Sequence, residues 1–124
     1  MTHALVDDLL GPLHMHFLCA RKAYGDYLAN GRRFLFALSL RRINLSARGL
    51  LLTKGHLLPA ELQQEAAALI GHYDVWLTLW MEHRRQTRPG LDDMFAFENA
   101  FTYPREAEAR LEALYESLSA QAAR

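Results

Sequence analysis

GRRFLFALSLRRINLSARGLLLTKG, residues 31–55, decides how the rest of the chain has to fold. Placed on a helix at about 100° per residue, its apolar side chains divide between two faces instead of gathering on one. Phe34, Leu38, Leu45, Gly49 and Leu52 form one stripe. Phe36, Leu40, Ile43, Ala47, Leu50 and Leu51 form a second on roughly the opposite side. Polar seams separate them, Ser39, Arg42 and Ser46 on one flank and Arg41, Asn44 and Arg48 on the other. A surface helix buries one face. This helix must be covered on both, by other parts of its own chain or by another molecule.

The flanking sequence supplies more helices and almost no strand signal, because period-two alternation and clusters of valine, isoleucine and threonine are missing. A first helix starts near Thr2 or His3, is interrupted or bent at Gly11-Pro12, and stops at Asn30-Gly31. Leu13, Phe17, Ala20, Tyr24, Tyr27 and Leu28 share one of its faces. The two-faced helix comes second and leaves at Lys54-Gly55. A third helix spans about residues 59–86, opened by Pro59 and bearing the broad arc Leu62, Ala66, Leu69, Ile70, Tyr73, Trp76, Leu77 and Trp80. Pro89-Gly90 breaks the chain. Residues 91–103, LDDMFAFENAFTY, then crowd Met94, Phe95, Phe97, Phe101 and Tyr103 into a connector expected to form a short helix and a turn. That much aromatic area calls for burial, with the back of the second helix as the face to cover. Pro104 opens a final helix with a narrow stripe of Ala107, Leu111, Leu114, Tyr115 and Leu118, fraying from about Ser119. The expected fold is all-α, a compact four- to five-helix bundle with a two-faced second helix, forming a single domain over residues 1–124.

Fourteen basic and fourteen acidic side chains cancel, which argues against a protein dedicated to coating nucleic acid. Their placement is uneven. Residues 1–60 carry eight basic against three acidic groups and residues 61–124 six against eleven. Either the basic half packs on the acidic half, or it presents an anion-binding face. The lone Cys19 cannot form an internal disulfide, and no secretory pattern or long apolar run is present. The expectation is a soluble, cytoplasmic protein without a membrane partner.

Candidate chemistry is sparse. Arg41, Asn44 and Arg48 recur at i, i+3 and i+7, so all three point one way between two apolar faces, where arginine forks would need carboxylate or phosphate oxygens. With Arg33 and Arg42 they make a candidate anion-binding or nucleic-acid-binding seam. The histidines do not make a metal site: His14 and His16 diverge on a helix, only His16 and Cys19 share a side, and no Cys-x-x-Cys or Glu-x-x-His occurs. No cofactor is expected. Helical ribonucleases of the HEPN superfamily pair an arginine with a histidine after a short spacer, whereas here seven residues separate Arg48 from His56 and Gly55 breaks the helix between them. That leaves HEPN-like cleavage as the enzymatic alternative and no residue named as catalytic. The ladder Tyr73, Trp76 and Trp80 could stack a ring ligand, although aromatics at this spacing commonly make core. The function expected is therefore non-catalytic association, as a homodimer or a small subunit or adaptor of another protein. Phe36, Leu40, Ile43, Ala47, Leu50 and Leu51 are the expected interface.

Overall fold

The computed structural model describes residues 2–123, and within them four helices carry the architecture. Helix α1 occupies residues 2–29, α2 Phe34–Lys54, α3 Ala60–Thr87 and α4 Arg105–Ala122. The fold is an all-α bundle, and the final helix continues to Ala122 instead of fraying at Ser119.

Helix α1 is not interrupted at Gly11-Pro12. Its first turns are π-helical, Leu5–Leu10, and the Gly11 N–H donates to the Val6 carbonyl. Widening the helix by one residue accommodates the proline without ending it. Glycine is required at that point, since a Cβ on residue 11 would stand 2.9 Å from the Val6 oxygen. The helix stops where expected: Asn30 leaves helical geometry, and Gly31 and Arg32 take φ of 70° and 54°. Two consecutive left-handed residues reverse the chain.

Helix α2 starts without a side-chain cap, because Arg33 is its first flanking residue. Its free N–H groups find acceptors elsewhere: Phe34 N–H donates to the Asp93 carbonyl at 2.8 Å and Leu35 N–H to that of Leu91 at 3.0 Å. Phe95 N–H returns a bond to the Arg32 carbonyl. These bonds hold residues 91–103 as an irregular strap with one bridge, Arg33 to Met94, and not as the short helix expected. The strap covers the amino-terminal end of α2 and the side of α3. Of its large side chains only Phe95 is fully buried; Phe97 and Tyr103 are half-buried, and Met94 and Phe101 are exposed.

Helices α1 and α3 both pack along α2 and scarcely touch each other. Two apolar clusters fill the space around α2. The larger joins Leu9, Leu10, Leu13 and Phe17 of α1 to Ala47 and Leu51 of α2, Leu69, Tyr73 and Leu77 of α3, and Ala107 and Leu111 of α4. The smaller is Phe34, Ala37, Trp80 and Phe95, with Trp80 only 1% exposed.

Helix α2 thus has its second stripe inside its own chain. Leu40, Ala47 and Leu51 are buried, and Phe36, Ile43 and Leu50 are half-buried. These six residues, expected as an intermolecular interface, are taken up by the flanking helices and the cleft between them. The first stripe is buried at Phe34 and open at its other end, where Leu45 and Leu52 are 40% and 52% exposed. The uneven charge resolves across the same seams: Arg21 pairs with Glu108, Arg33 with Asp92, Arg48 with Asp74 and His14 with Glu112. None of the described helices is long and apolar enough to cross a membrane.

Candidate ligand cleft

Because α1 and α3 diverge over α2, the space between the two clusters is not filled by side chains. A cleft of about 800 Å³ opens there. Ala37, Leu40 and Asn44 of α2 line it, as do Phe17, Ala20, Tyr24 and Tyr27 of α1 and His72, Tyr73, Trp76 and Trp80 of α3. Phe95, Phe97, Phe101 and Tyr103 contribute from the strap, and Arg105 and Glu108 from the start of α4. The volume lies in the range of small-molecule sites, and the lining combines aromatic side chains with a set of charged and polar groups.

The aromatic lining is fixed by mutual packing. Phe95 lies against Phe34 and Trp80 with centroids 5.0 Å from each, and Phe97 lies 5.9 Å from Trp76. Tilted and edge-on arrangements of this kind suit the ring quadrupoles. The Tyr27 hydroxyl donates to the Phe95 carbonyl and ties the strap to α1. Burial pushes the Tyr27 phenol up from its ordinary pKa, and the nearby Arg32 guanidinium partly offsets this.

Polar groups run along one side. The Tyr103 hydroxyl donates to Glu108 at 2.7 Å, and the other Glu108 oxygen accepts from Arg21 at 3.1 Å. The Tyr103 pKa is pushed far up, first by burial, then by Tyr73 and Glu108 beside it, so it stays a neutral donor. Tyr73 is raised as well, chiefly by burial. His72 stands edge-on to Tyr103 at 5.1 Å, and burial lowers its pKa, which keeps the ring neutral at pH 7. Two polar atoms on cleft-lining side chains are enclosed without a hydrogen-bond partner, His72 Nδ1 and Trp80 Nε1. Buried polar atoms are usually paired, so each is a local cost of the packing and, being enclosed, offers no contact to a molecule in the cleft. Arg32 also lines the cleft, from a left-handed backbone that costs a non-glycine residue roughly 1–2 kcal/mol.

The residues expected to bind an anion are not brought together. Arg48 pairs with Asp74, Arg33 bonds the Asn30 carbonyl and Asp92, and Arg42 is exposed. Arg41 stacks its guanidinium over Trp80, 5.2 Å from the ring centroid. Of the five, only Asn44 lines the cleft. Arg48 and His56, the pair considered for ribonuclease chemistry, do not line it either; His56 is exposed on the short 3₁₀ turn Gly55–Leu57. Among the described residues no three His, Cys, Asp or Glu side chains gather as metal ligands would. His14 and His16 are held structurally, by Glu112 with Tyr115 and by the Pro12 carbonyl with Ser46.

Residue-by-residue reading of the sequence missed Tyr24, Tyr27, Arg32, Phe95, Phe97, Arg105 and Glu108 as site residues. A usable signal was present in the aromatic density of 91–103 set beside the Tyr73, Trp76 and Trp80 ladder. Comparisons of the chain with protein-family models, with curated proteins and with solved structures find no significant match.

Proposed function

We propose that this protein is a non-catalytic binding domain whose site is the cleft between α1, α3 and the strap, taking a small molecule with a flat apolar body. The supporting observation is the cleft itself: about 800 Å³ walled by aromatic side chains. Tyr24, Trp76, Phe97 and Phe101 offer ring faces or edges at its margin, and Asn44 offers an amide from α2. Among the described residues the one hydroxyl–carboxylate pair in the cleft is Tyr103 with Glu108, and the pairing of Glu108 with Arg21 together with the strongly raised phenol pKa makes Glu108 a weak base and Tyr103 a poor nucleophile. Titration with the neutral dye N-phenyl-1-naphthylamine tests this reading. Saturable one-site binding with enhanced emission is expected in the wild-type protein. It should be lost in Ala20→Trp, which places an indole in the cleft from a half-buried helical position. Equal binding by a folded Ala20→Trp variant, or no saturable binding by the wild type, rejects the cleft as the site.

A second reading, self-association, is favoured by one specific surface. Leu45, Leu52 and Met81 are all about half exposed around the Arg48–Asp74 pair on the outside of α2 and α3. Asp74 and Met81 are seven residues apart and Arg48 and Leu52 four, so these side chains share the outward side of the two helices. A homodimer on this face would use the first stripe of α2 and leave the second inside the monomer.

A further inference from the structure

The charges on the cleft do not balance. Arg21, Arg32 and Arg105 line it against one carboxylate, Glu108, and that carboxylate is occupied by Arg21 and by the Tyr103 hydroxyl. Arg32 and Arg105 have no ion-pair partner among the described residues. Arg32 comes from the α1–α2 reversal, beside Phe95 of the strap, and Arg105 from just beyond the strap's other end. Arg32 is held there by its backbone, whose N–H donates to the Tyr27 carbonyl and whose carbonyl accepts from Phe95 N–H. Arg105 is the first residue of α4. His72, Tyr27, Tyr73 and Tyr103 on the lining are held neutral by burial and bring no compensating negative charge.

We infer that the ligand of this cleft is an organic anion, an aromatic or polycyclic carboxylate or phosphate whose ring body lies among Tyr24, Trp76 and Phe97 and whose acidic group is received by Arg32 or Arg105. Guanidinium forks beside a partly desolvated apolar surface select such anions over their neutral analogues, because the charge-assisted bonds are stronger than neutral ones. A nucleic-acid strand is a poorer occupant. The strap crosses the cleft and limits it to a small-molecule volume, and the protein's net charge of zero gives a polyanion no general attraction.

This inference rests on the cleft being a small-molecule site, and displacement of bound N-phenyl-1-naphthylamine separates the two claims. The competitors are 1-naphthylacetate, 1-naphthyl phosphate, the neutral 1-naphthylacetamide and an eight-residue oligothymidylate. At least one of the two small anions is expected to displace the dye at about tenfold lower concentration than the amide. Arg32→Gln or Arg105→Gln should remove that advantage while leaving displacement by the amide unchanged. The variant that does so identifies the end holding the anion, and the better competitor identifies the acidic group. Equal potency of both anions and the amide overturns the inference while the cleft remains a binding site. An anion advantage untouched in the Arg32→Gln/Arg105→Gln double variant overturns it too, as does displacement by oligothymidylate at lower concentration than either small anion. Failure of the dye itself to bind removes the cleft and the inference together.

Discussion

The guanidinium of Arg41 lies over the indole of Trp80 while its own Nε is buried without a hydrogen-bond partner. On the same ring Arg84 stands 5.8 Å from the centroid and also covers Phe34. Two arginines therefore face a fully enclosed indole, and neither finds a carboxylate among the described residues. Ring quadrupoles take the place of counter-ions, at roughly 0.5–2 kcal/mol each.

Opposing terms at Arg41 can be separated. Arg41→Met keeps the aliphatic stem and removes both the cation and the unpaired N–H, whose desolvation costs on the order of 1–3 kcal/mol. These changes offset, so urea denaturation should show a loss under about 1 kcal/mol, whereas Arg41→Ala, which also removes the stem, should lose about 1–2 kcal/mol. Trp80→Ala should lose roughly 3–5 kcal/mol, because the whole indole is enclosed. If Arg41→Met proves as damaging as Arg41→Ala, the charge and not the stem carries the contribution.

His72 should make stability fall on mild acidification. Burial lowers its folded-state pKa below the unfolded value of 6.5, so below that pH the unfolded chain takes up the proton first. The stability due to the neutral ring is complete above pH 6.5 and is lost as pH drops through the folded-state pKa. Comparing wild type with His72→Asn by urea denaturation at pH 7.5 and pH 5 isolates this contribution from the other histidines. The wild type should lose more on acidification, by about 1 kcal/mol at most, because the half-buried ring keeps part of its contact with water. Identical losses in the two proteins would mean that the ring is protonated without penalty.

How far these features could be read from the chain depended on whether they are local. The Asn30-Gly31 stop and the apolar arc of α3 each follow from residues near one another and each is present, whereas of the two faces of α2 the first is covered at Phe34 and open at Leu45 and Leu52. Which face of α2 turns inward does not follow locally: the Leu40, Ala47 and Leu51 stripe is internal because α1 and α3 flank it, a long-range fact. The strap illustrates the same limit. LDDMFAFENAFTY carries helical signals, but α2 begins at Arg33 without a capping side chain, and the carbonyls of Leu91 and Asp93 satisfy its free N–H groups. The cleft was the least legible part, since Tyr24, Arg32, Phe97 and Arg105 belong to four separate segments.

Two glycines should respond in opposite directions to alanine. Gly31 holds φ of 70° at the α1–α2 reversal, so Gly31→Ala should destabilise by about 1–2 kcal/mol although nothing stands within 4 Å of the new Cβ. Gly25 is an exposed helical position with equally open space, and Gly25→Ala should stabilise by about 0.5–1 kcal/mol. Thermal melts of the two variants read the sign directly. A stabilising Gly31→Ala would mean that the reversal does not need its left-handed residue.

The outer face of α2 yields the remaining prediction. Leu45, Leu52 and Met81 are 40%, 52% and 51% exposed. Apolar groups scattered singly on a surface need no explanation, but a contiguous group around one ion pair does. If copies of the chain pair there, light scattering over a dilution series should show a mass falling from dimer toward monomer. Leu45→Lys/Leu52→Lys should then be monomeric throughout with its melting temperature nearly unchanged, because neither side chain belongs to an internal cluster. Leu40→Ala is the control for the opposite stripe: it should lower the melting temperature and leave the dimer's concentration dependence in place. A wild-type protein monomeric at every concentration removes self-association through this face, and a dimer that survives both lysines places the contact elsewhere.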